Sequence, residues 1–412
     1  MLQIGSVFLP LQGWRLTEIV AGTTHVILLL VLSGMLLITW PFVLSFKGVM
    51  LFTFYVAGML HFQRRLASGL PLTYTLKSWR ASKTNFRFTS SFVKQIFEKE
   101  LPPFPSADAR EKMRSGSRPV VVITGGERGI GYEVVKQLAL LHFDLFVCCP
   151  SVPAAGRAIT RIRRVVAKNA CDSLSPGKIV PLQLDLSNEA SVRRCASDIL
   201  AATSRIDVLI NNAGILHTGS TRVTNLRGDE LVLAVNFIGP ALFTELLLDT
   251  IKQSRPSRIV NVSSLMQLSA CIPPEYSPLT ILMENCSPMP WVVTKNYSLS
   301  KLLVVCYTRD LAVRLHDSGV NVSCLHPGVV FSHIYDGLGF WVKVMPYLMR
   351  TVFRFRGEGA EVVLHNVLAD GVENGSFYAD RKNFDSVVSP WARDPKMNAK
   401  ITLWVREHFG LN

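Results

Sequence analysis

Eight residues, Thr124-Gly125-Gly126-Glu127-Arg128-Gly129-Ile130-Gly131, constrain this chain more than any other stretch. They directly succeed the apolar run Val120-Val121-Val122-Ile123 and open a helical pattern over 132–141. A buried strand that turns through glycines into a helix start is how a nucleotide-binding sheet holds a pyrophosphate. The glycines allow a tight turn and close backbone approach, while the helix end offers unpaired N–H groups and a partial positive charge. A bare strand–loop–helix corner carries the same pattern, so its meaning depends on the rest of the chain.

Beyond the turn, strands and helices alternate. Strands are predicted at Val120–Thr124, 145–149, 179–185, Val208–Asn211, 258–263 and Val320–His326. Helices are predicted at 132–142, 154–170, 188–203, 225–252 and 297–318, and there is no internal repeat. Short apolar runs between helical patterns predict an α/β fold, a doubly wound parallel sheet with helices on both faces. The Pro/Ser-rich stretch 101–119, with Pro102, Pro103 and Pro105, reads as a linker ahead of that domain.

The N-terminal part is of another kind. Residues 19–46 hold no Asp, Glu, Lys or Arg over 28 positions, where about 20 helical residues cross a bilayer. Lys47 interrupts, and 48–62 adds a second apolar stretch of 15 residues. A single tilted transmembrane helix or a helical hairpin that enters and returns is expected. A cleaved signal peptide is disfavoured, because the apolar region is too long and starts too far in. Residues 64–118 then carry twelve Lys/Arg against four acids, a surplus of eight within a formal net charge of +14. Ahead of the apolar stretch stand only Arg15 and Glu18. The positive-inside bias therefore predicts that the basic segment and all that follows it lie in the cytosol, with the basic segment able to rest on anionic headgroups. No nucleic acid is expected as partner, since no reader motif accompanies the sequence pI of 9.6.

The eight cysteines fit a reducing compartment. All lie within 148–324, none forms CxxC, none has a metal-like spacing to His, and no metal site is expected. Adjacent Cys148 and Cys149 sit in a strand-like run and read as small core hydrophobes. Of four Asn-x-Ser/Thr matches (Asn261, Asn296, Asn321, Asn374), three fall in predicted strands or beside a candidate catalytic tyrosine, where a glycan would not fit.

Four more signals come after the glycine-rich turn in order. Asp185 closes a predicted strand, where a carboxylate could accept from an adenine amino group; capping of the next helix, which Ser187 could also supply, is the competing role. Asn211-Asn212-Ala213-Gly214 adjoins the strand 208–210, and its small and left-handed-tolerant residues let a dinucleotide lie against the backbone. Ser263-Ser264 end another strand, where a hydroxyl can donate to a substrate carbonyl. Tyr297 and Lys301 are four apart and share a helix face. A tyrosine hydroxyl titrates near ~10, and a neighbouring ammonium would favour the phenolate and suit it to acid/base work. The Tyr-x-x-x-Lys spacing recurs by chance, so its weight comes from its place in this order.

In this order the signals resemble the short-chain dehydrogenase/reductase family over 120–382. The stretches 257–264 (SRIVNVSS), 235–239 (VNFIG), 375–380 (GSFYAD) and His326-Pro327-Gly328 are similar to its retinol-dehydrogenase-like branch. The resemblance implies a Rossmann-type sheet and an oxidoreductase. It implies Tyr297 as acid/base, Lys301 as partner of the nicotinamide ribose that also tunes Tyr297, Ser264 as the group orienting a carbonyl, and Asn236 as holder of a proton-relay water. It implies a cofactor cradle of Thr124, Gly125, Arg128, Gly129, Ile130 and Gly131, with Asp185, Asn212, Ala213, Gly214, Pro327 and Gly328 beside it.

NADP(H) is favoured over NAD(H). No Asp or Glu stands between Leu145 and Cys171 to repel a 2′-phosphate, and Arg128 or Arg157 could meet one; Pro150 departs from the Arg often found after the second strand. A second departure is the 33-residue separation of Ser264 from Tyr297, longer than the family's, with an insertion at 265–294 expected to form a lid over the substrate mouth or an idle surface loop. The apolar, aromatic stretch 332–356 is expected as a substrate lid or interfacial helix. The expected organisation is a membrane anchor at 1–62, a basic juxtamembrane segment at 63–118, a catalytic domain at 119–385 and a C-terminal tail at 386–412. The expected partners are a membrane, at the endoplasmic reticulum or a lipid droplet, and a lipophilic small molecule (retinoid, steroid or fatty aldehyde). A homodimer is left open. A cofactor-binding scaffold that has lost turnover is the competing function.

Overall fold

The computed structural model describes residues 118–169, 177–217, 221–270, 272–286, 293–328, 330 and 354–411. The expected anchor, nearly all of the basic segment and most of the 332–356 lid lie outside the described residues.

The described chain forms one eight-stranded sheet in the order β3-β2-β1-β4-β5-β6-β7-β8. The strands are β1 (Val120–Thr124), β2 (Asp144–Cys149), β3 (Ile179–Gln183), β4 (Val208–Asn211), β5 (Ser257–Val262), β6 (Val320–His326), β7 (Phe377–Ala379) and β8 (Lys382–Asn383). The first seven run parallel, and β8 turns back antiparallel on β7 at the edge. The order reverses at β1, so the carboxyl ends of β1 and β4 flank the crevice where such sheets bind ligands.

Continuous apolar runs suit strands covered on both faces, and β1 is buried at all five positions. Its side chains alternate between two cores. Val120 and Val122 join one with the helices α3 (Glu189–Ala202), α4 (Leu231–Gln253), α6 (Val293–Arg314) and α8 (Pro395–His408). Val121 and Ile123 join the other with α1 (Gly129–Leu140), α2 (Val152–Asn169) and α7 (Arg356–Leu368). Helices on both faces of a mostly parallel sheet are thus the observed architecture.

Several boundaries differ from expectation, each for a local reason. The long helix begins at Leu231, not 225. Asn225 Oδ1 accepts from the N–H groups of Arg227 and Asp229, a side-chain bond that competes with helix, and Gly228 has φ +90°. β3 stops at Gln183, two residues before Asp185, because the carboxylate bends the chain by accepting from the Ser187 N–H and hydroxyl at 2.9 and 2.7 Å. The cap of α3 is Asn188. α6 starts at Val293, four residues ahead of Tyr297, and ends at Arg314 before Gly319 at φ +75°.

Two larger segments behave differently from expectation. The described part of the 265–294 insertion carries a 3₁₀ turn (Leu265–Ser269) and α5 (Pro278–Met283), whose Leu265, Leu268, Ile281 and Leu282 are buried in the first core. Residues 386–412, expected as a tail, contain α8, whose Ile401 and Val405 are buried in the same core. Leu231–Gln253 is the one described helix long and apolar enough to cross a membrane, and it is mostly buried as a core helix of this domain.

Candidate active site

The glycine-rich turn is stapled to the end of β4. Thr124 Oγ1 accepts from the N–H groups of Asn212 and Ala213 at 3.1 and 3.0 Å, and Asn212 Nδ2 donates to the carbonyls of Thr124 and Gly125 at 2.9 and 3.2 Å. Gly125 has φ +66°, and a Cβ on Gly131 would lie 2.2 Å from the Gly125 carbonyl oxygen, so neither position admits a larger residue without a shift. Ahead of α1, Arg128 is extended, makes no side-chain cap bond, and is succeeded by no acid in the first turn. The helix start therefore presents N–H groups and its positive dipole end without a competing carboxylate on its own first turn.

The second half of the site is built at the ends of β5 and β6. Asn236 lies in a π-helical turn (Ala234–Ile238) within α4, a widening that often marks functional helices. Its Oδ1 accepts from Ile215 N–H at 2.7 Å, and its Nδ2 donates to Ile215 O at 3.0 Å and Ser300 Oγ at 3.1 Å. Ser300 Oγ in turn donates to Tyr297 O at 2.7 Å. A Cβ on Gly214 would sit 3.4 Å from both Asn236 Oδ1 and Lys301 Nζ, so these three converge.

Strand β5 and helix α6 hold each other by two bonds. Lys301 Nζ donates to Val262 O at 2.9 Å, and Ser263 Oγ donates to Lys301 O at 2.7 Å. Lys301 is buried, and burial pushes its ammonium down to about 8. Its Nζ lies 5.6 Å from the ring centre of half-buried Tyr297. Ser264, buried next to the clasp, accepts from Met266 N–H at 3.2 Å and so caps the 3₁₀ turn that packs on α6. The structure thus joins Asn236, Gly214, Tyr297 and Lys301 in one connected network and sets Ser264 beside it.

Asp185 stands apart in bond terms, since its carboxylate serves the turn after β3. Gly328, after Pro327, has φ +92° and lies under the side chain of Arg354. Arg157 is exposed on α2.

Three groups near the site carry no role in the sequence expectations. Glu127, inside the glycine-rich turn, is 11% exposed; its Oε1 is 3.4 Å from Arg128 Nε, while Oε2 is buried without a partner. Its charge reaches the end of β2, where burial first and then Glu127 push the Cys149 thiol up to about 11. His326 is buried with both ring nitrogens unpartnered, and burial, then the charges of Arg354 and Lys301, push it down to about 3. Arg354 pairs with Asp380. Glu127 and His326 stand inside recognisable motifs, but nothing local tells that a turn carboxylate folds inward. The six described cysteines are free and buried.

The residues present suit a nicotinamide dinucleotide: a glycine cradle with no room for Cβ atoms, a helix start with no acid in its first turn, and a buried His326 within reach of the Lys301 charge whose two ring nitrogens have no partner. The profile of the short chain dehydrogenase family matches residues 119–272. Retinol dehydrogenase 12 of Mus musculus is 34% identical over 284 residues, covering 68% of this chain and 83% of that protein. Retinol dehydrogenase 11 of Homo sapiens is 33% identical over 264 residues, covering 63% and 77%. The crystal structure of an uncharacterized protein from Mycobacterium paratuberculosis aligns with a TM-score of 0.51 at 26% identity, over 71% of this chain and 93% of that one.

Proposed function

The chain belongs to the short-chain dehydrogenase family, in its retinol-dehydrogenase-like branch, and we propose on that premise a membrane-anchored, NADP(H)-dependent oxidoreductase acting on a lipophilic carbonyl or alcohol. The observation that carries this reading is the network joining Asn236, Tyr297 and Lys301 at the end of β5, with Ser264 beside it.

The bound nicotinamide would supply or accept the hydride. Tyr297 then exchanges the proton with the substrate oxygen, and Ser264 donates to that oxygen as charge develops on it. Lys301, fixed by Val262 O, lends positive charge near the phenol and lowers the cost of the phenolate. Asn236 spends both amide hydrogens and one acceptor position on Ile215 and Ser300, leaving an Oδ1 lone pair for a relay water. Thr124, Gly125, Gly129, Ile130 and Gly131 receive the pyrophosphate at the start of α1, with Asn212, Ala213 and Gly214 forming the opposite wall. Asp185, Pro327 and Gly328 complete the cofactor surface.

NADP(H) is preferred in this reading because 145–171 offers no acid and Arg128 is 60% exposed at the turn. The uncharged stretch 19–46 and the retinol in the relatives' names support a substrate dissolved in lipid, with the catalytic domain facing the cytosol from the endoplasmic reticulum.

The test is oxidation of NADPH and NADH by detergent-solubilised protein with retinals, steroid ketones and long-chain aldehydes, beside Tyr297→Phe. Turnover should fall about 10²–10⁴-fold in the variant, with cofactor binding retained. Binding without turnover in both proteins would assign a cofactor-binding scaffold instead.

A further inference from the structure

Arg354 begins the chain's return to the sheet after β6, forming a parallel bridge with Val330. Its side chain is 14% exposed, Nη2 is ion-paired with Asp380, and Nη1 is buried without a partner. The guanidinium lies against Gly328. A Cβ there would be 2.5 Å from Arg354 Cδ and 3.0 Å from Nε and Nη1, so the glycine makes room for the arginine.

The neighbours on either side place Arg354 between two halves of the site. On one side is His326, two residues before Gly328 and buried with both ring nitrogens unpartnered; burial first, then the charges of Arg354 and Lys301, lower its pKa. On the other is the start of α1: a Cβ on Gly359 would meet Val330 Cγ2 at 2.5 Å and Ile130 Cγ1 at 3.4 Å, so Gly359, five residues after Arg354, packs between Ile130 and Val330, the bridge partner of Arg354. Ile130 belongs to the helix start suited to phosphate, and Lys301 is the lysine assigned above to the nicotinamide ribose. A buried guanidinium N–H without an acceptor is costly, and a phosphate oxygen is the acceptor that guanidinium geometry matches best.

We propose that Arg354, held by Asp380, is a phosphate-binding residue for the nicotinamide mononucleotide half of the cofactor. The assignment rests on the dinucleotide reading above. Asp380 takes one face of the fork and fixes its direction, leaving Nη1 for the ligand.

Dissociation constants of NADP⁺, nicotinamide mononucleotide and adenosine 2′,5′-bisphosphate should be measured by calorimetry on the full-length protein in detergent. Arg354→Met should weaken NADP⁺ and nicotinamide mononucleotide by about 10- to 100-fold, with adenosine 2′,5′-bisphosphate changed less than about twofold. Arg354→Lys should recover part of the loss, and Asp380→Asn should reproduce part of it. Should Arg354→Met not fold, the last two variants carry the test. Unchanged constants with a lowered melting temperature would make Arg354 a structural clasp and overturn the proposal, as would equal weakening of all three ligands. Wild-type protein that binds none of them would instead overturn the dinucleotide reading on which the proposal stands.

Discussion

His326 is the residue whose setting converts most directly into a pH dependence. Its folded pKa of about 3 lies below the ordinary histidine value of 6.5, so between those limits the unfolded chain binds more protons than the folded one. Stability is then complete above pH 6.5 and is lost progressively as pH falls towards 3. At pH 5 the loss is about 2 kcal/mol. His326→Asn should flatten the fall in melting temperature between pH 7 and 5; an unchanged slope would place the acid sensitivity elsewhere. Glu127 bears on cofactor choice in the same concrete way. Its inward carboxylate sits near the end of β2, where a 2′-phosphate would feel it, and it opposes the exposed Arg128. Glu127→Gln should raise the ratio of NADP⁺ to NAD⁺ affinity roughly tenfold, equivalent to about 1.4 kcal/mol, as read by calorimetry with both nucleotides. The candidate catalytic residues were legible because each belongs to a short motif set against an apolar run. Arg354 was not: it stands in a segment whose partner, Asp380, is 26 positions away and is reached only through the sheet edge.

Among the elements, α8 owes its place to one buried carboxylate. Glu245 on α4, its side chain 3% exposed, receives Arg314 of α6 through both nitrogens at 2.7 and 3.0 Å, Arg406 of α8 at 2.8 Å and Tyr307 OH at 3.0 Å. Burial alone would raise its pKa, but the bonds and charges of these partners outweigh burial and hold it below the usual glutamate value. Glu245→Ala leaves two partly exposed guanidinium groups and a buried phenol without their acceptor. It should cost about 2–4 kcal/mol in chemical denaturation, discounted from the buried-pair range for the solvent that reaches both arginines. A loss under about 1 kcal/mol, the range of an exposed pair, would mean that apolar packing alone seats α8. This is also why α8 escaped the sequence: its apolar residues Met397, Ile401, Leu403, Trp404 and Val405 are interspersed with charges, only Ile401 and Val405 among them are fully buried, and the ionic hub that completes them is assembled from three separate helices. The π-turn around Asn236 was hidden for a similar reason, since the spacing of apolar residues continues through it unbroken.

For the molecule as a whole, the parallel sheet was legible from alternation alone, because strands covered on both faces must be apolar throughout. The embedded insertion was not, since its prolines signal loops whether or not those loops pack inward. The anchor reading makes its own prediction. Protein in native membranes should stay in the pellet through alkaline carbonate extraction, and protease added to sealed vesicles should digest residues 118–411. Protection of that region until detergent is added would place the domain on the lumenal side and reverse the charge argument. The free cysteines carry a consequence of another kind. Cys286 and Cys324 are each pushed up to about 12, first by burial, and Cys149 to about 11. Thiols so placed hold almost no thiolate at neutral pH and meet no reagent while the domain is closed. The six described cysteines, all free and buried and spread over β2, β6, α3, α6 and the turn after α5, therefore give the fold an internal gauge. Each becomes reactive only when its own element opens, so the order in which they take up an alkylating agent records the order in which the domain comes apart.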